Sequence, residues 1–187
     1  WALDLFGHAE TPPHPLDYEI GEVPSLLSFE EVTQHTAGLL DELLRRFDEP
    51  CELLGYSMGG RLALSVVALW MREGNTQAIN RVKRLTLLGT SPGLEDEAER
   101  EARREADERW AERLEGYEGE SLEEVLDVCS AQPIWARLAE VCPERAAEQR
   151  ERRLELHMGE ALACAMRTLR LGGMPPLWAE LRGLPCP

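Results

Sequence analysis

Leu53-Leu54-Gly55-Tyr56-Ser57-Met58-Gly59-Gly60-Arg61 is the stretch whose reading decides the fold. A short apolar strand, Cys51 to Leu54, runs into a sharp turn with Ser57 at its apex, and an apolar helix starts at once. Gly55 and Gly59 stand where strand and helix backbones pass too close for a Cβ. The spacing is G-x-S-x-G, the nucleophile-elbow pattern, which holds a serine hydroxyl out of the fold on a strained bend. There the backbone N–H of Met58, first in the helix, points at any oxyanion that develops beside the serine. A glycine-rich turn that packs and catalyses nothing is the plainer alternative.

Outward from the elbow, the order of elements follows from periodicity. Leu62 to Trp70 continues the helix without Pro or Gly, and Gly74-Asn75 stops it. Val82 to Leu88 reads as a strand closing on Gly89-Thr90-Ser91-Pro92-Gly93. On the other side, Ser28 and Glu31 form a capping box for a helix whose stripe is Val32, Leu39, Leu40, Leu43, Leu44 and Phe47. Trp1–Leu5 reads as a short strand, followed by an irregular loop through Pro12, Pro13, Pro15, Gly21 and Pro24. Strand, helix, strand, helix, strand argues for an α/β architecture, a parallel sheet with helices on its faces.

From Leu94 the composition turns to Glu, Arg and Ala, with helical segments around Ser121–Val128, Glu144–Leu156 and Ala161–Leu171. The apolar side of the charged run up to about Leu114 is thin: Leu94, Ala98, Ala102, Ala106, Trp110 and Leu114, and beyond it Ser121 and Glu124 form a second capping box. The expected division is a core over 1–93, a helical cap over 94–175 and a return toward the core over 176–187.

Charge excludes whole classes of partner. Twenty basic against 35 acidic side chains leave a formal net charge of −15. Such a field repels phosphate backbones and anionic bilayers, so neither nucleic acid nor a membrane is an expected partner. The five cysteines, an odd number without C-x-x-C spacing, read as reduced thiols. With no signal peptide legible, the expected location is cytoplasmic. No metal-ligand spacing and no dinucleotide glycine pattern stands out, so no cofactor is expected.

Several motifs together are more specific than the elbow. Gly55-Tyr56-Ser57-Met58-Gly59-Gly60-Arg61 is followed by Ser91-Pro92-Gly93-Leu94 and an arginine-rich helix containing Arg103, Arg104 and Asp107. Gln132-Pro133-Ile134-Trp135 and Pro176-Leu177-Trp178 come later, and Asp4-Leu5-Phe6-Gly7-His8 stands near the start. Over nearly its whole length the chain resembles the α/β-hydrolase-fold synthases of menaquinone biosynthesis that make 2-succinyl-6-hydroxy-2,4-cyclohexadiene-1-carboxylate. The resemblance implies a lyase in which a serine, made basic by a His–Asp pair, takes a ring proton and pyruvate is eliminated. It implies Ser57 as the base and the Met58 N–H as half of the oxyanion hole. Tyr56, Arg61, Arg103, Arg153 and Trp135 would meet a small anionic carboxylate substrate. Guanidinium forks suit that task because they pair carboxylates bidentately. For Arg103 an ion pair with Glu99 is the alternative, and for Arg153 a solvated place in the run 150–153.

The chain departs from the family pattern in three places. Leu5-Phe6-Gly7-His8-Ala9 replaces Leu-Pro-Gly-His-Gly, and Cys129 stands where an aromatic is expected. After Ser57 the chain has one histidine, His157, inside the helical insertion, whereas the fold family orders its triad Ser, then Asp or Glu, then His. The chain therefore reads as the middle of such an enzyme, inactive by itself, with its chemistry completed by other segments. An esterase on the same elbow, or a non-catalytic interaction module, are the competing readings.

Overall fold

Described in the structure, a computed structural model, are residues 2, 3, 5, 8, 9, 27–116 and 119–184. The loop expected through Pro12, Pro13, Pro15, Gly21 and Pro24 lies outside them, as do His14, Phe6, Gly7 and Cys186. Of the strand expected over Trp1–Leu5, residues 2, 3 and 5 are described and carry no strand pairing.

Ser28 opens the first helix with a full capping box. Its hydroxyl accepts from the Glu31 N–H at 3.2 Å, and the Glu31 carboxylate accepts from the Ser28 N–H at 2.7 Å. Helix α1 (Phe29–Leu44) buries Phe29, Val32, Ala37, Leu40 and Leu44. Leu39, placed on that stripe by the sequence, is 49% exposed, and Phe47 falls beyond the end of the helix. Strand β1 (Cys51–Tyr56) leads through Ser57 to α2 (Met58–Glu73), in which every residue from Leu62 to Trp70 is buried. That continuous burial has a simple cause: α2 packs against α1, β1 and β2. Fully burying side chains of the size of Leu62, Leu64, Val66 and Trp70 contributes about 1.5–3 kcal/mol each.

A short helix absent from the sequence reading, α3 (Thr76–Asn80), is capped by Asn75, whose side chain accepts from the Ala78 N–H. Strand β2 (Val82–Leu88) then pairs parallel with β1, in the register Leu53↔Leu85, Gly55↔Leu87 and Tyr56↔Leu88. One face of this two-stranded sheet meets α2. The other carries Leu54, Tyr56 and Leu88 at 63%, 55% and 47% exposure.

The remaining elements are α4 (Glu97–Leu114), α5 (Leu122–Ser130), α6 (Pro133–Val141), α7 (Pro143–Leu156), α8 (Gly159–Thr168), a 3-10 turn over Leu171–Gly173, and α9 (Trp178–Leu181). The chain divides into two compact units. One comprises residues 27–104 and 168–184 and holds the sheet; the other comprises residues 105–167 with the described residues before 27. Residues 94–104 and 168–175, assigned to the cap from sequence, thus group with the sheet.

The buried side of α4 is not the alanine stripe. Ala98 and Ala102 are exposed, whereas Asp107 and Ala111 are buried and Arg100 and Arg104 half-buried, at the i, i+4, i+7, i+11 spacing of one face. Arginine stems cover apolar surface while their heads reach a polar partner. Here that partner is the Gly172 carbonyl, 3.3 Å from Arg100 Nε and 2.9 Å from Arg104 Nη1. In the helical unit, Arg167 of α8 holds α4 in the same way, donating to Glu108 and Glu115. Its ionisation is shifted upward, above all by the Glu115 hydrogen bond. Among the described residues no helix is long and apolar enough to cross a membrane.

Candidate active site

Ser57 occupies the apex of the bend at φ 48°, ψ −114°, a left-handed-side conformation that few non-glycine residues adopt. Backbone hydrogen bonds hold it there. The Ser57 N–H donates to Leu88 O at 2.9 Å, and its carbonyl accepts from the Arg61 N–H at 3.1 Å and from Thr90 Oγ1 at 2.8 Å. Strain of this kind costs on the order of 1–3 kcal/mol and persists where the surroundings over-determine it.

Close approach of strand to helix supplies the rest of the constraint. A Cβ on Gly55 would lie 2.5 Å from Gly60 Cα and 2.7 Å from Gly59 O; one on Gly60 would lie 2.9 Å from Gly55 O and from Thr90. The sequence pointed to Gly55 and Gly59; the atom facing Gly55 most closely belongs to Gly60. Thr90 escaped the sequence reading altogether. Its only signal was its place just after β2, where a parallel neighbour of β1 must end beside the elbow.

The Ser57 residue is exposed, and its hydroxyl has no hydrogen-bond partner among the described residues. It makes no cap bond to α2, so the first-turn N–H groups, Met58 foremost, are left without an intrahelical acceptor. Tyr56, 55% exposed, lies with its ring edge over Gly89, where an added Cβ would meet Tyr56 Cε2 at 3.3 Å. Hydroxyl, helix N-terminus and phenol are thereby set on three consecutive residues.

Arg61 follows one turn later and is half-buried, with Nη1 donating to Leu169 O at 2.6 Å. Arg103 is exposed on α4. The neighbouring arginines, Arg100 and Arg104, are the ones that turn onto the Gly172 carbonyl. Sequence alone could not separate them, because the phase of α4 is set by a charged stripe.

Within the helical unit, Trp135 and Arg153 do come together. They line a cleft of about 40 Å³ with Ser130, Leu138, Ala146 and Arg150, space for a carboxylate group and little more. Arg150 is engaged there by Asp127 and Glu123, each at 2.6 Å. Their shared hydrogen bonds shift the pKa of Arg150 upward and hold that of Asp127 below its ordinary value, so both charges are favoured. A larger cavity, about 180 Å³, lies in the sheet-bearing unit against Phe29, Thr33, Ser65, Leu69, Arg72 and Leu177. Ser65 is the nearest of these to Ser57 along α2, roughly 12 Å down the helix at 1.5 Å per residue. That cavity is not the serine's own.

Among the described residues no cluster of three or more His, Cys, Asp or Glu could hold a metal ion. His8 and His157 meet edge to face with ring centroids 5.5 Å apart, and His157 Nδ1 accepts from the Ala9 N–H at 3.3 Å.

With this geometry in hand, the comparisons with known proteins are specific. The chain is 36% identical over 132 residues to the 2-succinyl-6-hydroxy-2,4-cyclohexadiene-1-carboxylate synthase of Citrobacter koseri, a match covering 69% of this chain and 45% of that one. It is 31% identical over 175 residues to the same-named protein of an Enterobacter species, covering 94% of this chain and 59% of that one. A solved structure, that of MenH from S. aureus, superposes with a TM-score of 0.76 at 28% identity, covering 99% of this chain and 61% of that one. The chain thus spans about half to three fifths of the length of the relatives it matches. No protein-family model matches it.

Proposed function

We infer that this chain, a relative of the 2-succinyl-6-hydroxy-2,4-cyclohexadiene-1-carboxylate synthases with an incomplete α/β-hydrolase core, carries the elbow half of a lyase that eliminates pyruvate from a cyclic polycarboxylate. The single observation that carries the reading is Ser57, exposed at φ 48° on the bend immediately before the first turn of α2. In this reading the Ser57 oxygen takes a ring proton, and the electron pair left behind expels pyruvate. The Met58 N–H faces the oxygen on which negative charge develops, where a preorganised donor is worth several kcal/mol. Tyr56, Arg61 and Arg103 meet the substrate's ring and carboxylates. Trp135 and Arg153 give the helical unit, taken by itself, a cleft of matching chemistry.

A serine hydroxyl needs a base to become one itself. Since no imidazole is hydrogen-bonded to Ser57 among the described residues, the isolated chain should release no pyruvate and resist a fluorophosphonate probe. Joined to the remaining segments of a relative, it should release pyruvate and react with the probe, and Ser57→Ala should abolish both activities while leaving the circular dichroism unchanged. Pyruvate release by Ser57→Ala at the parent rate would remove Ser57 from the chemistry. Hydrolysis of a p-nitrophenyl ester without pyruvate release would favour an esterase on the same elbow. Silence of the fused protein in both assays would favour a non-catalytic scaffold, the reading supported by the unpartnered hydroxyl.

A further inference from the structure

The geometry points to Arg104, with Arg100 beside it, as a positioning residue for Arg61. The three arginines act on one short piece of backbone, residues 169–172, from two sides. Arg61 of the elbow helix donates to Leu169 O at 2.6 Å. Three residues on, Gly172 O accepts from Arg104 Nη1 at 2.9 Å and from Arg100 Nε at 3.3 Å. Leu169 and Met174, on either side of the 3-10 turn, are fully buried.

Each end of this relay is held independently. Arg104 is steered by Glu97, 2.6 Å from its Nη2, and by Glu101. Gly172 lies so close to α4 that a Cβ would stand 2.4 Å from Arg100 O, and this approach brings its carbonyl within reach of both guanidiniums. The backbone that runs between the two carbonyls is closed into a turn by the Gly173 N–H donating to Arg170 O at 3.1 Å and the Met174 N–H donating to Leu171 O at 3.2 Å.

A free arginine side chain samples many rotamers. A carbonyl fixed in space selects one rotamer of Arg61, but only if the carbonyl itself does not drift. Charge-assisted donation from two guanidiniums onto Gly172 O is what stops the drift. Arg104 thereby sets where the Arg61 fork sits, with no need to touch Ser57 or any ligand. The consequence for substrate binding rests on the reading above that Arg61 meets an anion. The relay itself does not.

Guanidinium nitrogen and proton resonances of the full chain read the relay directly, Arg61 being identified by the signal lost in Arg61→Lys. In the parent, Arg61 should show separate, slowly exchanging Nη signals. In Arg104→Ala they should merge to an average, and exchange of the Gly173 and Met174 amides should rise about tenfold or more as the turn opens locally. Arg104→Lys, which keeps one charged donor, should restore part of both. Should Arg104→Ala fail to fold, Arg100→Lys provides the milder step in the same direction. Unchanged Arg61 signals in a folded Arg104→Ala, or in Arg100→Lys and Arg104→Lys together, would overturn the relay. Titration with succinate separates the two ideas. No movement of the Arg61 signal with the relay intact removes Arg61 from anion binding and leaves Arg104 in its role.

Discussion

At the scale of single residues, Ser57 and Gly55 make opposite predictions. Ser57→Gly removes the Cβ from a backbone at φ 48° and should raise stability, by up to about 1 kcal/mol after the added freedom of the unfolded chain is offset. Thermal midpoints of the two proteins measure this directly, and a lower midpoint for the variant would mean that the bend is unstrained. Gly55→Ala should instead destabilise by about 3 kcal/mol or more, because its Cβ would meet backbone at Gly60 and Gly59 rather than a side chain able to yield. A urea midpoint within error of the parent would refute the close approach. Both glycines and the serine were readable from the sequence, since a bend that tight has few chemical solutions. Thr90 and the choice among Arg100, Arg103 and Arg104 were not. Each depends on which atoms another segment brings near, and one-dimensional spacing holds no record of that.

Among the elements, the two capping boxes were fully legible, because Ser-x-x-Glu is a local pattern whose partners lie three residues apart. The structure keeps both, at Ser28–Glu31 and Ser121–Glu124. Hydrogen bonds from the Ser28 backbone and hydroxyl hold the Glu31 pKa below the usual carboxylate range, and those of Ser121 do the same for Glu124. Glu120 is lowered by Arg113 and Asp127 by Arg150. A carboxylate depressed in the folded state stabilises above its unfolded pKa, and that contribution fades as pH falls through the folded value. Stability should therefore be flat from neutral pH down to the ordinary carboxylate range and decline below it, with α1 and α5 fraying from their starts. Glu31→Gln and Glu124→Gln together should flatten part of that decline, as read from denaturation midpoints across acid pH; an unaltered profile would show that the caps do not contribute. The phase of α4 was illegible for the converse reason. Its alanines looked like the packing face, yet Gly172 lets two guanidiniums lie there instead.

On the scale of the whole molecule, the alternation of strand and helix was the legible part of the sequence. The parallel pair β1–β2 and its crossover helix emerged from alternating periodicity, and the S. aureus structure supports the same fold. The strand expected over Trp1–Leu5 has no counterpart among the described pairings. Leu54, Tyr56 and Leu88 share one face of the sheet at 63%, 55% and 47% exposure, on a molecule of net charge −15. These two facts oppose each other in solution. Like charge keeps molecules apart over a Debye length of roughly 30 Å at 0.01 M salt and about 3 Å at 1 M, whereas contact between apolar faces hardly weakens with salt. Sedimentation velocity should accordingly find a slow monomer in dilute buffer and faster species as sodium chloride is added. Leu54→Lys with Leu88→Lys should hold the slow species throughout. Colloidal behaviour, for this protein, becomes a matter of that apolar face and the ionic strength of the buffer chosen to store it.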